Sequence, residues 1–329
     1  MIKEKEDLEE INNMNIKTNF KKKVSLAQFT TFKIGGKAKY FIVVKNKEDL
    51  EESIKWAKKN KQKIYFFSGG SNILVNSNNI DGLVIKLENK KIEIKQEKIK
   101  CGAGVFLSEL INKTTDNNLS GLEYFAGIPG SIGGAVRGNA GAFGYSISEI
   151  VEEVEVYDLV SNKFKLLNQK DCCFKYRESI FKNNLKNNII IWNIFLKLKK
   201  INNNKNIKKI ILDNVNNRKA QPKLPSAGCV FKNLKLKELE KFNPDLAKEA
   251  KNEKKVKNNM VSTGWIINKL DLAGKEIGKA KISLKHANFI VNTGGATTDD
   301  VIMLISYIKQ KVRDIFNIQL TEEIQYFGI

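Results

Sequence analysis

Two hydrophobic periods, one near 3.6 residues and one of 2, divide this chain into short alternating elements. Tyr40 to Val44 reads as a strand, and Lys47 to Asn60 follows as an amphipathic helix with Leu50, Ile54 and Ala57 on one face. Lys63 to Phe67, Ile73 to Asn76, Leu83 to Leu87 and Lys91 to Gln96 read as further strands, the last alternating apolar and polar residues. Val105 to Thr115 is expected as a helix, and Val151 to Val160 and Ile189 to Leu198 as long strands. Beyond a polar, Asn/Lys-rich stretch at 199–206, helices are predicted at Ile207 to Lys219 and Val261 to Leu270, and a strand at Asn288 to Asn292. Thr298 to Phe316 carries the clearest helical signal. Thr297 or Thr298 caps it, and Asp299 and Asp300 complement its N-terminal dipole. Val301, Ile305, Ile308, Val312 and Ile315 form its apolar stripe. Ile318 to Phe327 closes the chain as a strand.

The series is α+β, with βαβ-like pieces but no clean doubly wound order. A length of 329 residues allows two or three packed units. Residues 1–23 are expected to be a flexible N-terminal segment. The polar stretch then divides 24–200, itself in two parts of about 24–88 and 89–200, from 207–329. The first residues are charged and hold no continuous apolar region, so no signal peptide is expected. No apolar run is long enough to span a bilayer, and the expected location is the cytoplasm.

Net charge is +21, from 57 Lys and Arg against 36 Asp and Glu. Such a surplus raises nucleic acid as a partner. However, the lysines are spread through Asn/Ile-rich sequence, as in Asn202-Asn203-Asn204-Lys205-Asn206, and form no stripe on one element. A solvated basic surface is the expected reading, with no nucleic-acid partner. The four cysteines (Cys101, Cys172, Cys173 and Cys229) form no Cys-x-x-Cys, and His286 is the single histidine. No metal site is expected, and reduced thiols fit best.

Two glycine loops carry the first chemical signal. Ser68-Gly69-Gly70-Ser71-Asn72 lies between two predicted strands, where glycines leave backbone N–H groups open to an anion. From Gly127 to Gly144 the chain holds seven glycines; its candidate cofactor contacts are Gly127, Pro129, Gly130, Ser131, Ile132, Gly133 and Gly134, with Asn139 and Ala140 further on. This stretch is expected as one long loop. It is neither a Walker A loop nor a Gly-x-Gly-x-x-Gly opening a helix. A pyrophosphate held between two loops of another kind remains.

Further motifs follow in order: Thr31-Phe32-Lys33-Ile34-Gly35-Gly36, Tyr176-Arg177-Glu178-Ser179, Ala227-Gly228-Cys229-Val230-Phe231-Lys232-Asn233, Gly264-Trp265-Ile266-Ile267, and Lys285-His286-Ala287-Asn288-Phe289-Ile290-Val291-Asn292. With the glycine loops, these resemble the UDP-N-acetylenolpyruvoylglucosamine reductase family of bacterial peptidoglycan precursor synthesis, from about Thr30 onward. The spacing resembles the form without a tyrosine-bearing insertion. The resemblance implies a non-covalently FAD-binding unit of the vanillyl-alcohol-oxidase (PCMH) type over 24–200, and a substrate domain over 207–329. It implies NADPH as reductant, a UDP-sugar as substrate and a monomer. It also implies hydride transfer from the flavin to the enolpyruvyl group.

That reaction builds negative charge on a carboxylate and then needs a proton. The resemblance places Arg177 at the carboxylate, where a guanidinium fork suits accumulating charge. It places Cys229 as proton donor in a slot where many relatives carry serine, with Ser226 as the rival. A thiol is the stronger acid and is needed protonated. Glu323 is the third catalytic member, with Glu322 as rival, since alternating side chains let only one of the two face the pocket. Tyr176, Lys232, Asn233 and His286 are candidate substrate contacts, although His286 reads equally well as structural. Leu234 stands where relatives often carry proline, and Arg137 and Gly138 vary the second loop. An FAD oxidase of the same fold and a basic nucleic-acid-binding protein are the competing functions.

Overall fold

A computed structural model describes residues 20–182 and 188–329; most of the segment 1–23 lies outside them. Among the described residues the elements form three layered units, and α and β elements mix throughout, so the fold class is α+β. The first sheet has the order Lys21–Ser25, Lys37–Val44, Ile80–Leu87, Ile64–Phe67. Its first pair is antiparallel and the others are parallel. The opening strand begins inside the segment expected to be flexible. Helix Lys47–Lys59 forms as its periodicity predicts, burying Leu50, Ile54 and Ala57. Asn46 caps it by accepting the Asp49 N–H at 2.7 Å.

The second sheet is antiparallel, in the order Lys163–Asn168, Val151–Asp158, Ile189–Lys197, Lys98–Gly102, Ile92–Lys95. Helix Leu107–Asp116 covers it with Leu107, Leu110 and Ile111 buried. Tyr157, Ile190 and Trp192 of this sheet share a core with Ile42, Leu50, Trp56 and Ile85 of the first unit. Removing that much apolar surface from water fastens the two sheets together. In the third unit, helix Thr298–Phe316 packs with the sheet Ser226–Cys229, Phe289–Asn292, Ala280–Ile282, Glu276–Ile277. Thr297 and Asp300 form a full capping box at its start. Val301, Leu304, Ile305, Ile308 and Val312 are buried. The stripe stops there, and Ile315 is exposed.

Four local expectations are corrected. The 127–144 stretch is not one loop but contains helix Ile132–Arg137, whose N-cap Ser131 accepts the Gly134 N–H at 3.3 Å. Two glycines in six residues hide this helix from a propensity reading. The predicted helix over 261–270 spans only Thr263–Asn268, because Met260–Val261 pairs instead with Leu234–Lys235 and Val256–Lys257. The predicted strand over 318–327 is regular only at Gln325–Phe327, which leaves the third unit and pairs in parallel with Ile73–Val75 of the first. In the polar 199–206 stretch, Lys199–Lys200 pairs with Leu119–Ser120. Helix Lys205–Arg218, which follows, packs on the second unit: Asn214 donates to the Glu123 carbonyl and Arg218 to the Ala126 carbonyl, both at 3.2 Å. Among the described residues no helix is long and apolar enough to cross a membrane, and no cluster of His, Cys, Asp or Glu suits a metal.

Candidate active site

The two glycine loops meet. Ser71 Oγ donates to the Pro129 carbonyl at 2.9 Å. A Cβ on Gly69 would stand 2.6 Å from Ser131 N and 2.7 Å from Gly130 Cα. Only a residue without a side chain lets the loops come this close. Ser68 anchors the first loop through the Leu87 carbonyl, and Gly70 accepts the Thr31 N–H. Among the described residues, the N–H groups of Gly69, Gly70, Ser71 and Asn72 donate to no backbone carbonyl. Consecutive free N–H groups form an anion nest, so the loop suits the pyrophosphate of a dinucleotide. In the second loop Gly127 and Pro129 are exposed, whereas Ser131, Ile132 and Gly133 are buried beneath them. Gly134 is exposed, Ala140 half-buried, and Asn139 buried, donating to the Lys175 carbonyl at 2.9 Å. Gly69→Ala is expected to purify with less than half its flavin, read as the ratio of flavin to protein absorbance. A fully yellow Gly69→Ala protein would remove this loop from the cofactor site.

Arg177 comes to the same place by a tight turn. Lys175 and Glu178 exchange both backbone hydrogen bonds at 3.0 Å, leaving Tyr176 and Arg177 at the tip. Cys229 arrives on strand Ser226–Cys229, opposite Phe289, beyond an irregularity in the pairing. Glu323 is set beside it by its own N–H, which donates to the Val230 carbonyl at 2.7 Å. The two neighbouring acids then part. Glu323 Oε1 lies 2.7 Å from Arg177 Nε, whereas Glu322 pairs with Lys309 at 2.9 Å and bonds the Tyr326 hydroxyl. Asn72 of the first glycine loop donates to the Glu323 carbonyl at 3.2 Å, tying the loop to the acid. Ser226 gives its carbonyl to Thr31 at 2.7 Å.

The contact between Arg177 and Glu323 is a charge pair without an aligned hydrogen bond. Arg177 Nε is buried, and among the described residues it is the side-chain polar atom left without a hydrogen-bond partner. Its Nη2 donates to the Gly141 carbonyl at 2.8 Å, and its guanidinium lies 5.4 Å from the Tyr176 ring centre. A buried donor without an aligned partner is rare and fits a side chain kept for chemistry rather than for folding. Beside it, Cys229 is partly accessible as a residue, but its thiol sits beneath protein. Burial, and then the Glu323 carboxylate, push that thiol up to about 12 against the opposing charges of Arg177 and Arg218.

Lys232 forms an ion pair with Glu178 across the units, and the Asn233 backbone N–H bonds the Tyr176 hydroxyl. His286 is placed differently. Its ring packs on Phe289 and against Gly264, and its Nδ1 accepts the Asn288 N–H at 3.3 Å. Burial moves its imidazole below the ordinary value. None of its described contacts is with Arg177, Cys229 or Glu323. Three cations that sequence reasoning did not place complete the cluster: Arg137, held by Gln325 at 3.1 Å; Arg218, near Cys229 and Arg177; and Lys182, near Lys232 and Glu323. Their partners are backbone carbonyls or residues far along the chain, so no local pattern signals them.

Fold and site together define an FAD-binding oxidoreductase, and residues 38–161 match the family model described as an FAD binding domain. Residues 221–327 match that of the UDP-N-acetylenolpyruvoylglucosamine reductase C-terminal domain. The reductase of that name from Solibacter usitatus is 32% identical over 303 residues, 92% of this chain and 95% of the relative. That of Fervidobacterium nodosum is 34% identical over 330 residues, 95% and 98%. The crystal structure of the reductase from Thermus caldophilus superposes with a TM-score of 0.74 at 29% identity, covering 94% of this chain and 99% of that one. The chain belongs to the UDP-N-acetylenolpyruvoylglucosamine reductase family, the FAD-containing reductases of peptidoglycan precursor synthesis.

Proposed function

We propose that this enzyme reduces UDP-N-acetylglucosamine enolpyruvate to UDP-N-acetylmuramate with NADPH, as a cytoplasmic monomer. The two glycine loops would hold FAD, which would supply the hydride chemistry linking NADPH to the enolpyruvyl group. The Arg177 guanidinium would receive the carboxylate on which negative charge gathers, while Glu323 faces its Nε at 2.7 Å. Cys229 delivers its thiol proton to the neighbouring carbon, completing the lactyl ether. Burial, and then the Glu323 carboxylate, keep the thiol protonated, and Glu323 faces the guanidinium. Once protonated, Glu323 polarises the substrate carboxylate or assists proton delivery.

Five cationic side chains (Arg137, Arg177, Lys182, Arg218 and Lys232) surround two carboxylates, Glu178 and Glu323. This surplus suits a substrate carrying both a diphosphate and a carboxylate. Lys232 exchanges Glu178 for a phosphate or carboxylate oxygen, while Tyr176 and Asn233 line the sugar's approach. The observation that carries this reading is the unpaired buried donor of Arg177 next to a thiol held protonated. The test is substrate-dependent NADPH oxidation by the yellow protein. Loss of absorbance only when the enolpyruvyl sugar is present is expected. Equal loss without it, with oxygen consumed, would instead make the protein an oxidase.

A further inference from the structure

Beyond its share in the cationic surplus, the reaction above gives Lys182 no contact of its own, yet its placement has a cost. The side chain is half-buried, and its Nζ donates to the Arg177 backbone carbonyl at 2.9 Å. Arg177 sits at its turn tip with φ +54°, in the left-handed region that non-glycine residues rarely adopt. Asn139 holds the Lys175 carbonyl at 2.9 Å on one side of the turn, and Ser179 holds the Arg137 carbonyl at 2.6 Å on the other. Lys182 is the group that reaches back to the tip itself. The charges facing its ammonium are Lys232 and Arg137, which repel it, and Glu178 and Glu323, which attract it. Burial is the largest influence and brings the amine down to about 8. A lysine that only filled space here would be served better by an apolar chain of similar length.

We propose that Lys182 is a positioning residue: by holding the carbonyl of Arg177 it fixes the strained turn tip, and with it the direction of the guanidinium toward the substrate carboxylate. This rests on the role assigned to Arg177 above. Displacing a reacting group by about 1 Å can cost on the order of 10²-fold in rate.

The test uses the holoenzyme with Lys182→Met and Lys182→Arg, following flavin reduction by NADPH and flavin reoxidation by UDP-N-acetylglucosamine enolpyruvate from about pH 6 to pH 10, either side of the shifted amine. Lys182→Met is expected to slow maximal reoxidation at least about tenfold while changing the reduction step less than about threefold. Lys182→Arg, which keeps a cation of similar reach, is expected to restore reoxidation to within about threefold. Wild-type reoxidation should decline as pH rises through about 8, where the ammonium is lost, and this limb should move upward in Lys182→Arg. The proposal is overturned if Lys182→Met reoxidises within twofold of wild type, if both half-reactions fall together, or if the limb does not move. If Lys182→Met is normal and Arg177→Lys is slow, only the positioning role fails. If Arg177→Lys is also normal, the reading of the site fails with it.

Discussion

Cys229→Ala is expected to stop the enzyme halfway: NADPH bleaches the flavin at close to the wild-type rate, and reoxidation by the enolpyruvyl sugar slows about 10²- to 10⁴-fold, the usual range for losing a general acid. The size of the effect follows from the state of the thiol. A cysteine serving as nucleophile sits where cations favour its thiolate. Here burial and Glu323 outweigh Arg177 and Arg218, and the folded protein keeps the proton far above the ordinary value of 9.0. The sign of the linkage agrees. Because the folded value is raised, the stability this group contributes is complete below about pH 9 and is lost as pH climbs toward about 12. Across the working range the donor is therefore fully loaded. Cys229→Ser, which keeps a less acidic donor, should fall between wild type and alanine. A direct readout of the thiol is alkylation near neutral pH: exposed Cys173 should react and Cys229 should be spared. Normal turnover by Cys229→Ala together with a dead Ser226→Ala would transfer the role to the serine.

What the sequence exposes and what it hides differ in physical kind. Helix Thr298–Phe316 is legible because its period, its cap and its acidic first turn agree. Helix Lys47–Lys59 is legible for the same reason. Helix Ile132–Arg137 is not, since Gly133 answers to close packing on Ala103 and not to helix propensity. The end of the chain is misread as one long strand because alternation cannot say which partner a strand will find. Ile318 to Ile324 stays with the third unit's core, and Gln325–Phe327 crosses to Ile73–Val75, some 250 residues earlier. That crossing brings Glu323 to the rim of the flavin loops, with Asn72 as the fastening point. The motifs containing Arg177, Cys229 and Glu323 are visible in the chain, but their meeting depends on these long-range pairings. Lys182, Arg137 and Arg218 lie below detection, because what defines them is a carbonyl or a neighbouring charge supplied by another element.

Arg177→Lys is expected to lower the rate of reoxidation by substrate about 10²- to 10³-fold, the range seen when one donor to a developing oxyanion is removed. Lysine keeps the charge but loses the planar fork, so the loss isolates geometry from net charge. The structure explains why the fork matters. One edge of the guanidinium is committed to the Gly141 carbonyl at 2.8 Å, and Nε remains buried without an aligned partner. An ammonium cannot hold Gly141, face Glu323 and still aim a fixed donor at a carboxylate. Folding should be little affected. Lysine keeps a positive charge facing Glu323, so the mostly covered carboxylate is not left without a counter-charge. Thermal unfolding of Arg177→Lys should therefore track the wild type while its reoxidation collapses. Glu323→Gln separates the two roles of the acid. If Glu323 serves mainly to hold the arginine, the double variant should lose little beyond Arg177→Lys alone, since coupled residues are not additive. If it also assists the proton, the losses should multiply. Reoxidation by Arg177→Lys within about tenfold of wild type would show that the developing charge is stabilised elsewhere in the cluster, with Arg218 the next residue to replace.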